Sequence, residues 1–347
     1  MSVAKRLPAR YLAALVDALQ AQGVDGATLL RMAGIDEAAF RHPEARLVPA
    51  QIDALIAAAR QLSGRSDLGL EGGLLIKMTS HDLLGWGMVG CRDFDQVLRL
   101  ASRHYHLMNE LFTLRYRRTP ERGEALYSPV VAMPPQMLHF MLEALAAAQH
   151  NQMRSLLGDA LPPYDIVLGM SRPPHHARYA VLAPARVRFD EQALPGVRVL
   201  IGAALLDHAL PLASQAVVQQ VSEKLERLSR RPTPEAGGWA DYVTMLLTEV
   251  QGELLTLEDI GRQLNVSART VDRNLKKEGR QFRDIAQRLL MARARELLDQ
   301  PGITVAQVAE RLGFSDAANF SRAFRRSNGV SPAQWQRCGG QAPQALE

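Results

Sequence analysis

Only two cysteines occur in 347 residues, Cys91 and Cys338, far apart and in no C-x-x-C or Cys/His spacing. That argues against a disulfide framework or a zinc site and for free thiols in a reducing compartment. Long apolar runs are missing too. The basic, then apolar N-terminus, "MSVAKRLPARYLAALVDALQ", is broken by Asp17 and Gln20, and no small-residue cleavage pattern follows. No segment reaches the ~20 apolar residues of a membrane span. Catalytic signatures are equally scarce, with no nucleophile elbow, P-loop, G-x-G-x-x-G or metal-ligand spacing. These absences predict a cytoplasmic protein that is not an enzyme and needs neither cofactor nor resident metal.

What is present is unevenly spread. Residues 260–337 hold 15 Lys and Arg against 7 Asp and Glu, a net +8, whereas residues 1–259 hold 26 against 28. A basic quarter of this kind is the electrostatic footprint of a module that binds a polyanion. The stretch "LSRRPTPEAGGW" (228–239) clusters proline, glycine and charge between two helical patterns and reads as a linker. Before it, helical periodicity at 9–21, 49–63, 94–109 and 135–157 mixes with strand-like runs at 111–118, 124–131, 164–169, 185–189 and 197–201. Without regular βα alternation this predicts an α+β domain. After the linker every pattern is helical, which predicts an all-α domain. The expected organisation is therefore an α+β domain over 1–229, a linker at 230–238, an all-α domain over 239–337 and a tail at 338–347.

The all-α part contains an internal repeat. "TLEDIGRQLNVSARTVDRNLKK" (256–277) and "TVAQVAERLGFSDAANFSRAFRR" (304–326) match at an offset of 48 residues, then 49 past the turn. Thr256 pairs with Thr304, Ile260 with Val308, Gly261 with Ala309, Val271 with Phe320, Leu275 with Phe324, and Arg273 with Arg322. Two apolar anchors, a small residue at the contact, a short turn and a second helix make a helix-turn-helix. Thr256 and Thr304 stand as N-caps of the first helices, Ser267 and Asp316 of the second. At ~100° per residue, Phe320 and Phe324 share one side of their helix, and Ala318, Ser321, Arg322 and Arg325 fall opposite. Val271 and Leu275 stand likewise against Arg269, Asp272, Arg273 and Lys276. An apolar pair of this kind anchors the helix so that its polar face is free to enter a groove of double-stranded DNA, where arginine forks can pair with guanine and lysine can meet phosphate.

Residues 239–337 resemble the DNA-binding domain of the AraC/XylS family of transcriptional regulators. The resemblance is carried by "ARARELLDQPGITVAQVAERLGFSDAANFSRAFRRSNGVSPAQW", including Gly313-Phe314-Ser315 and Gly329-Val330-Ser331-Pro332. It implies two helix-turn-helix units joined by a long helix, here 282–299, whose second helices read adjacent major-groove segments of tandem operator sites. Carried over by position, Arg269, Asp272 and Arg273 are the base readers of the first unit, with Lys276 and Lys277 beside them. Ala317, Ala318, Ser321 and Arg322 stand at the corresponding positions of the second, followed by Arg325 and Arg326. Two alanines donate no hydrogen bonds and can touch only thymine methyls, so the second helix is expected to read less sequence. Asp272 either accepts from cytosine or clamps Arg269 or Arg273.

Residues 1–229 resemble the arabinose-binding-type effector domain of the ornithine-regulator-like branch, through "GVDGATLLRMAGID", "LVPAQIDALIAAARQ", "DLGLEGG" and "HALPLA". This implies a small-molecule effector, with no ligand residue recoverable from sequence. The expected protein is an activator of a metabolic or catabolic operon, cytoplasmic and nucleoid-associated when bound to DNA, that works with RNA polymerase. The alternative is an effector-independent regulator controlled by protein–protein contacts. A stripe of Val217, Val221, Leu225 and Leu228 on a helix at 211–228 is expected to pack on its own domain, on a partner's copy, or on both. The resemblance tips that reading toward a homodimer. Met133, Met137, Met141 and Met153 read as a core stripe, Trp86 as core, and His175-His176 as a loop.

Overall fold

The computed structural model describes residues 5–158, 161–229, 238–250, 255–264 and 266–337. Backbone contacts divide the chain into two compact units, Met1–Gly238 and Trp239–Glu347. Residues 230–237 of the expected linker and the expected tail at 338–347 lie outside the described residues.

The first unit opens with β1 (Leu7–Pro8), α1 (Arg10–Ala21), α2 (Gly26–Met32), α3 (Glu37–Arg41), β2 (Arg46–Leu47), which pairs with β1, and α4 (Pro49–Ser63). Next come α5 (Leu68–Leu75), a 3-10 turn at Met78–His81, α6 (Asp82–Val89) and α7 (Phe94–Met108). The sheet follows: β3 (Phe112–Arg118), β4 (Arg122–Pro129), then after α8 (Pro135–Leu157) β5 (Asp165–Leu168), β6 (Arg186–Phe189) and β7 (Val197–Gly202). Its order is β3-β4-β7-β5-β6, antiparallel except for the parallel pair β5–β6. Helices α9 (Ala203–Leu206) and α10 (Gln215–Ser229) close the unit. Side-chain caps start several helices: Asp25 accepts from the N–H of Ala27 and Thr28, Asp36 from Ala39, and Asp93 from Gln96.

Helix α8 lies against the sheet on one side and α5 on another. The approach of α5 demands glycine, because a Cβ on Gly69 would stand 2.5 Å from the Phe140 carbonyl oxygen and one on Gly73 only 2.3 Å from that of Ala144. Polar links tie α7 to the sheet. The Tyr116 hydroxyl donates to Asp95 at 2.6 Å, and Arg118 bridges Asp95 and Asp207 at 3.5 and 2.8 Å.

The methionine stripe is core, with Met133, Met137, Met141 and Met153 all buried. Two expectations need correction. Trp86 is 62% exposed rather than core. The reason lies in its neighbours: Gly85 and Gly87 take the crowded sides of α6, against the Met78 carbonyl and against Val221 and Leu100, which leaves Trp86 facing out. The α10 stripe is also shifted. Val218, Val221 and Leu225 are buried, while Val217 and Leu228 are 40% and 41% exposed. Helix α10 packs on α6 and α7, and the close seat of Val221 on Gly87 selects the buried side. His175 lies in the turn that precedes a 3-10 helix at His176–Leu182, and its Nε2 lies 2.6 Å from the buried carboxylate of Glu143. Burial pushes the Glu143 carboxyl up from its usual range against the pull of His175.

The second unit is wholly helical among the described residues: α11 (Trp239–Glu249), α12 (Leu257–Leu264), α13 (Ala268–Lys277), α14 (Phe282–Leu298), α15 (Val305–Arg311), α16 (Ala317–Asn328) and α17 (Pro332–Arg337). Phe320 and Phe324, fully buried, sit with Met291, Ala294, Leu298, Val308, Ala309 and Trp335 in one cluster. Ring centroids run 5.3 Å from Phe314 to Phe320, 5.7 Å on to Phe324 and 5.9 Å on to Trp335, edge-on or tilted as aromatic quadrupoles prefer. Removing a buried ring costs its transfer energy and leaves a cavity, so Phe320→Ala should destabilise this unit by ~3–5 kcal/mol. Chemical denaturation followed by circular dichroism checks it. An unchanged midpoint with weakened DNA binding would mean that the ring faces outward.

Candidate nucleic-acid interface

Helices α12–α13 and α15–α16 form two helix-turn-helix pairs, and each begins as the repeat predicts. The Thr256 hydroxyl accepts from the N–H of Asp259 at 3.2 Å, and the Asp259 carboxylate accepts from the N–H of Thr256 at 2.9 Å. Thr304 and Gln307 repeat this reciprocal box at 3.2 and 2.9 Å. Ser267 caps α13 by accepting from Thr270 N–H at 3.1 Å, and Asp316 caps α16 by accepting from Asn319 N–H at 2.6 Å. The contact between the helices of the first pair is tight, since a Cβ on Gly261 would lie 2.7 Å from the Val266 carbonyl oxygen. Ala309, its counterpart, is buried.

On α13, Val271 and Leu275 are fully buried. Arg269, Arg273, Lys276 and Lys277 are exposed, and Asp272 is half-buried. Asp272 pairs with Lys276, one turn on, at 2.7 Å, rather than with Arg269 or Arg273. On α16, Ala318, Arg322, Arg325 and Arg326 are exposed, and Ser321 is half-buried. Ala317 is half-buried as well and packs against the aromatic cluster. Both second helices thus bury an apolar pair and turn cations outward.

Three further residues shape this surface and were missed by sequence reasoning. Asn319 donates to Ser315 and Asp316 at 2.7 and 2.8 Å, and its carbonyl oxygen accepts from Arg322. Arg322 is therefore held by the cap network at the start of α16. The carboxylate of Glu278 accepts from the N–H groups of Trp239 and Ala240 at 2.9 Å each. Arg293 donates to the carbonyls of Leu247, Thr248 and Val250 at 2.7 to 2.8 Å. Those two side chains satisfy the orphan groups at both ends of α11 and tie it to α13 and α14. An acid placed just past α13 and an arginine within α14 were the available signals, but neither names its distant partner. Helix α14, which joins the two pairs, has 17 residues and so extends ~25 Å.

Residues 23–231 match the arabinose-binding domain of AraC transcription regulators, and residues 260–337 match a helix-turn-helix domain family. The chain belongs to the AraC family of transcription regulators. Over 336 residues this regulator is 26% identical to the ornithine utilization regulator of Pseudomonas aeruginosa, covering 96% of this chain and 97% of that one. Over 83 residues it is 37% identical to the HTH-type transcriptional regulator VirS of Mycobacterium tuberculosis, covering 24% of each chain. The crystal structure of the transcriptional regulator CdpR from Pseudomonas aeruginosa aligns with 90% of this chain and 96% of its own, at 22% identity and a TM-score of 0.43. The regulator is a DNA-binding protein, and its relatives are transcriptional regulators rather than enzymes.

The hydrogen bond from Asn319 N–H holds the carboxyl of Asp316 below its ordinary value. A group depressed in this way stabilises the fold above its unfolded pKa, and that contribution is lost as pH falls through the folded value. Asp316→Ala in the regulator should therefore lower the melting temperature at pH 7. The gap to the parent should narrow as pH drops below the ordinary aspartate value of ~3.9, while Asp316→Asn, which caps without charge, should show a smaller gap at pH 7 that also narrows in acid. A gap for Asp316→Ala that stays constant from neutral to acid would show that the carboxylate charge does not stabilise the cap.

Proposed function

We propose that this regulator is an activator of a metabolic or catabolic operon. It reads tandem operator sites with α13 and α16 and answers to a small molecule bound in its first unit. The observation that carries the reading is the duplicated helix-turn-helix whose second helices bury Val271–Leu275 and Phe320–Phe324 and leave Arg269, Arg273, Arg322 and Arg325 exposed. Arg269, Asp272 and Arg273 read bases from the first helix. Ala318, Ser321 and Arg322 do so from the second, with Ala317 contributing least because it packs inward. Lys276, Lys277, Arg325 and Arg326 meet phosphates. The relative named for ornithine utilization supports a metabolic target. An activator of this kind works in the cytoplasm, at the nucleoid when bound, in contact with RNA polymerase.

An operator selected from random duplex DNA by the purified protein supplies the test. On that site Arg273→Ala should cost ~1–3 kcal/mol and relax preference at one base. Lys276→Ala should weaken selected and random DNA alike and shallow the salt slope by about one unit. Equal losses for both variants on both DNAs would overturn the assignment of Arg273.

A homodimer held by the first unit completes the reading. Two DNA-binding units joined in one assembly gain from effective concentration on tandem sites. With Val218, Val221 and Leu225 turned inward, the support comes from the exposed Trp86, Leu212, Val217 and Leu228, apolar side chains that a partner's copy would cover. Light scattering at micromolar concentration should give a dimer for the parent and a monomer for Trp86→Glu. A parent that is monomeric with and without operator DNA would end the proposal.

A further inference from the structure

The interior of the first unit contains a cavity of about 80 Å³, walled by α1, α7, α8 and the strands β3 and β4. It is several times the ~10–15 Å³ that a water needs, and about half the ~150 Å³ of an engineered apolar cavity that takes benzene. Among the described residues its lining holds no Asp, Glu, Lys or Arg. Apolar side chains such as Leu12, Val97 and Phe140 make most of the wall, and Met78, Met88, Met108 and Met141 add flexible side chains whose rotamer changes would widen it to admit a ligand of benzene size.

The polar groups on the wall are mostly spent on one another. Tyr127 donates to Gln149. At the remaining polar end, His81 lies between Tyr11 and Gln152, with Nδ1 2.9 Å from the Tyr11 hydroxyl and Nε2 2.7 Å from the Gln152 amide nitrogen. Burial, and secondarily the charge of Arg10, lowers the His81 pKa to about 4, so the ring is neutral at physiological pH. In the tautomer that accepts the Gln152 amide N–H at Nε2, the proton stands on Nδ1 and donates to the tyrosine oxygen. The Tyr11 hydroxyl hydrogen is left to donate to something else. Arg10 hydrogen-bonds the Tyr11 hydroxyl from outside the lining, and its charge is matched by Asp82 at 2.5 Å, with the Ser80 carbonyl accepting at 2.9 Å.

We infer that this cavity is the effector site, and that it takes a compact, uncharged, mainly aliphatic molecule with one hydroxyl or carbonyl oxygen that accepts from Tyr11. The inference rests on the reading of the protein as effector-responsive and narrows it. A zwitterionic amino acid such as ornithine is excluded by the same wall, because an ionised group enters an apolar cavity only with a partner charge. Helix α7, which walls the cavity through Val97, Ala101 and Tyr105, also carries His104 at a break in its helical backbone. His104 Nδ1 lies 3.0 Å from the hydroxyl of Ser229, the last residue of α10. A ligand that moves α7 therefore acts on the residue at which the first unit's last helix ends.

The test uses full-length protein carrying ¹³C-methyl methionine, titrated with cyclopentanol, cyclopentylamine, cyclopentanecarboxylate and L-ornithine. Cyclopentanol should shift the methyls of Met78, Met88, Met108 and Met141 saturably and leave Met245 and Met291 of the other unit unmoved. The three charged compounds should not. Ala148→Leu, which adds three carbons to the wall, should weaken cyclopentanol by about tenfold or more. Tyr11→Phe should weaken it less and serves as the second variant should Ala148→Leu not fold, with melting and operator binding reporting folding. No saturable shift with cyclopentanol, or equal shifts with the charged compounds, overturns the inference. Operator affinity measured on the same samples separates the two readings: cyclopentanol bound in the cavity without any change in operator binding upholds the site and removes its regulatory role.

Discussion

A helix can offer a groove only the face it does not need for its own anchorage. That constraint organises the second unit. Phe320 and Phe324 fall one turn apart, so one side of α16 is committed to the aromatic cluster with Phe314 and Trp335. Arg322, Arg325 and Arg326 have nowhere to go but out. Val271 and Leu275 impose the same division on α13 with less apolar volume. The rest of the unit supports those two anchors: Glu278 and Arg293 seal α11 at its ends, and α14 supplies Met291, Ala294 and Leu298 to the aromatic cluster.

The first unit depends on a different use of side-chain size. Helix α8 must pass close to α5, and glycine at 69 and 73 removes the Cβ atoms that would strike its carbonyl oxygens. Ala144, whose carbonyl faces Gly73, also stands with Ala148 in the wall of the cavity. Glycine thus brings the two helices to backbone contact, while the small alanine side chains beside that contact leave unfilled space. Cores pack near crystal density as a rule, and a gap among four methionines costs less to open or refill than one among branched side chains.

Local signals were legible in the sequence, and long-range ones were not. The caps Thr256, Ser267, Thr304 and Asp316 depend on groups within three residues, and the structure has all four hydrogen bonds. The long helices and all five strands of the main sheet also followed from periodicity. Helices α5 and α6 did not, because "LGLEGGLL" and "DLLGWGMV" are glycine-rich and apolar on every side. Val217 and Val218 are adjacent, and either one completes a stripe with Val221 and Leu225. Only the way α10 packs on α6 and α7 decides between them. The cavity left no trace in any single segment, since its wall is assembled from residues between Leu7 and Leu156. On α13 and α16, the exposed cations were legible from the wheel. The tether of Arg322 to Asn319 was not, because an asparagine in the first turn reads equally well as a plain surface residue.

That tether makes the two recognition helices unlike. Arg322 is held by Asn319, which is held in turn by Ser315 and the capping Asp316, so part of its rotamer entropy is lost before any DNA arrives. On the proposed reading, the α13 pair between Lys276 and Asp272 opens or is shared when the lysine meets a phosphate. An exposed pair of this kind contributes only ~0–1 kcal/mol, so opening it costs little. It leaves Asp272 free to turn toward a cytosine amine or a neighbouring arginine. On the proposed reading, the first helix adapts its polar groups to the bases it meets. The second presents one fixed arginine beside alanines. Sequence discrimination then concentrates on the site under α13, and α16 supplies affinity and register.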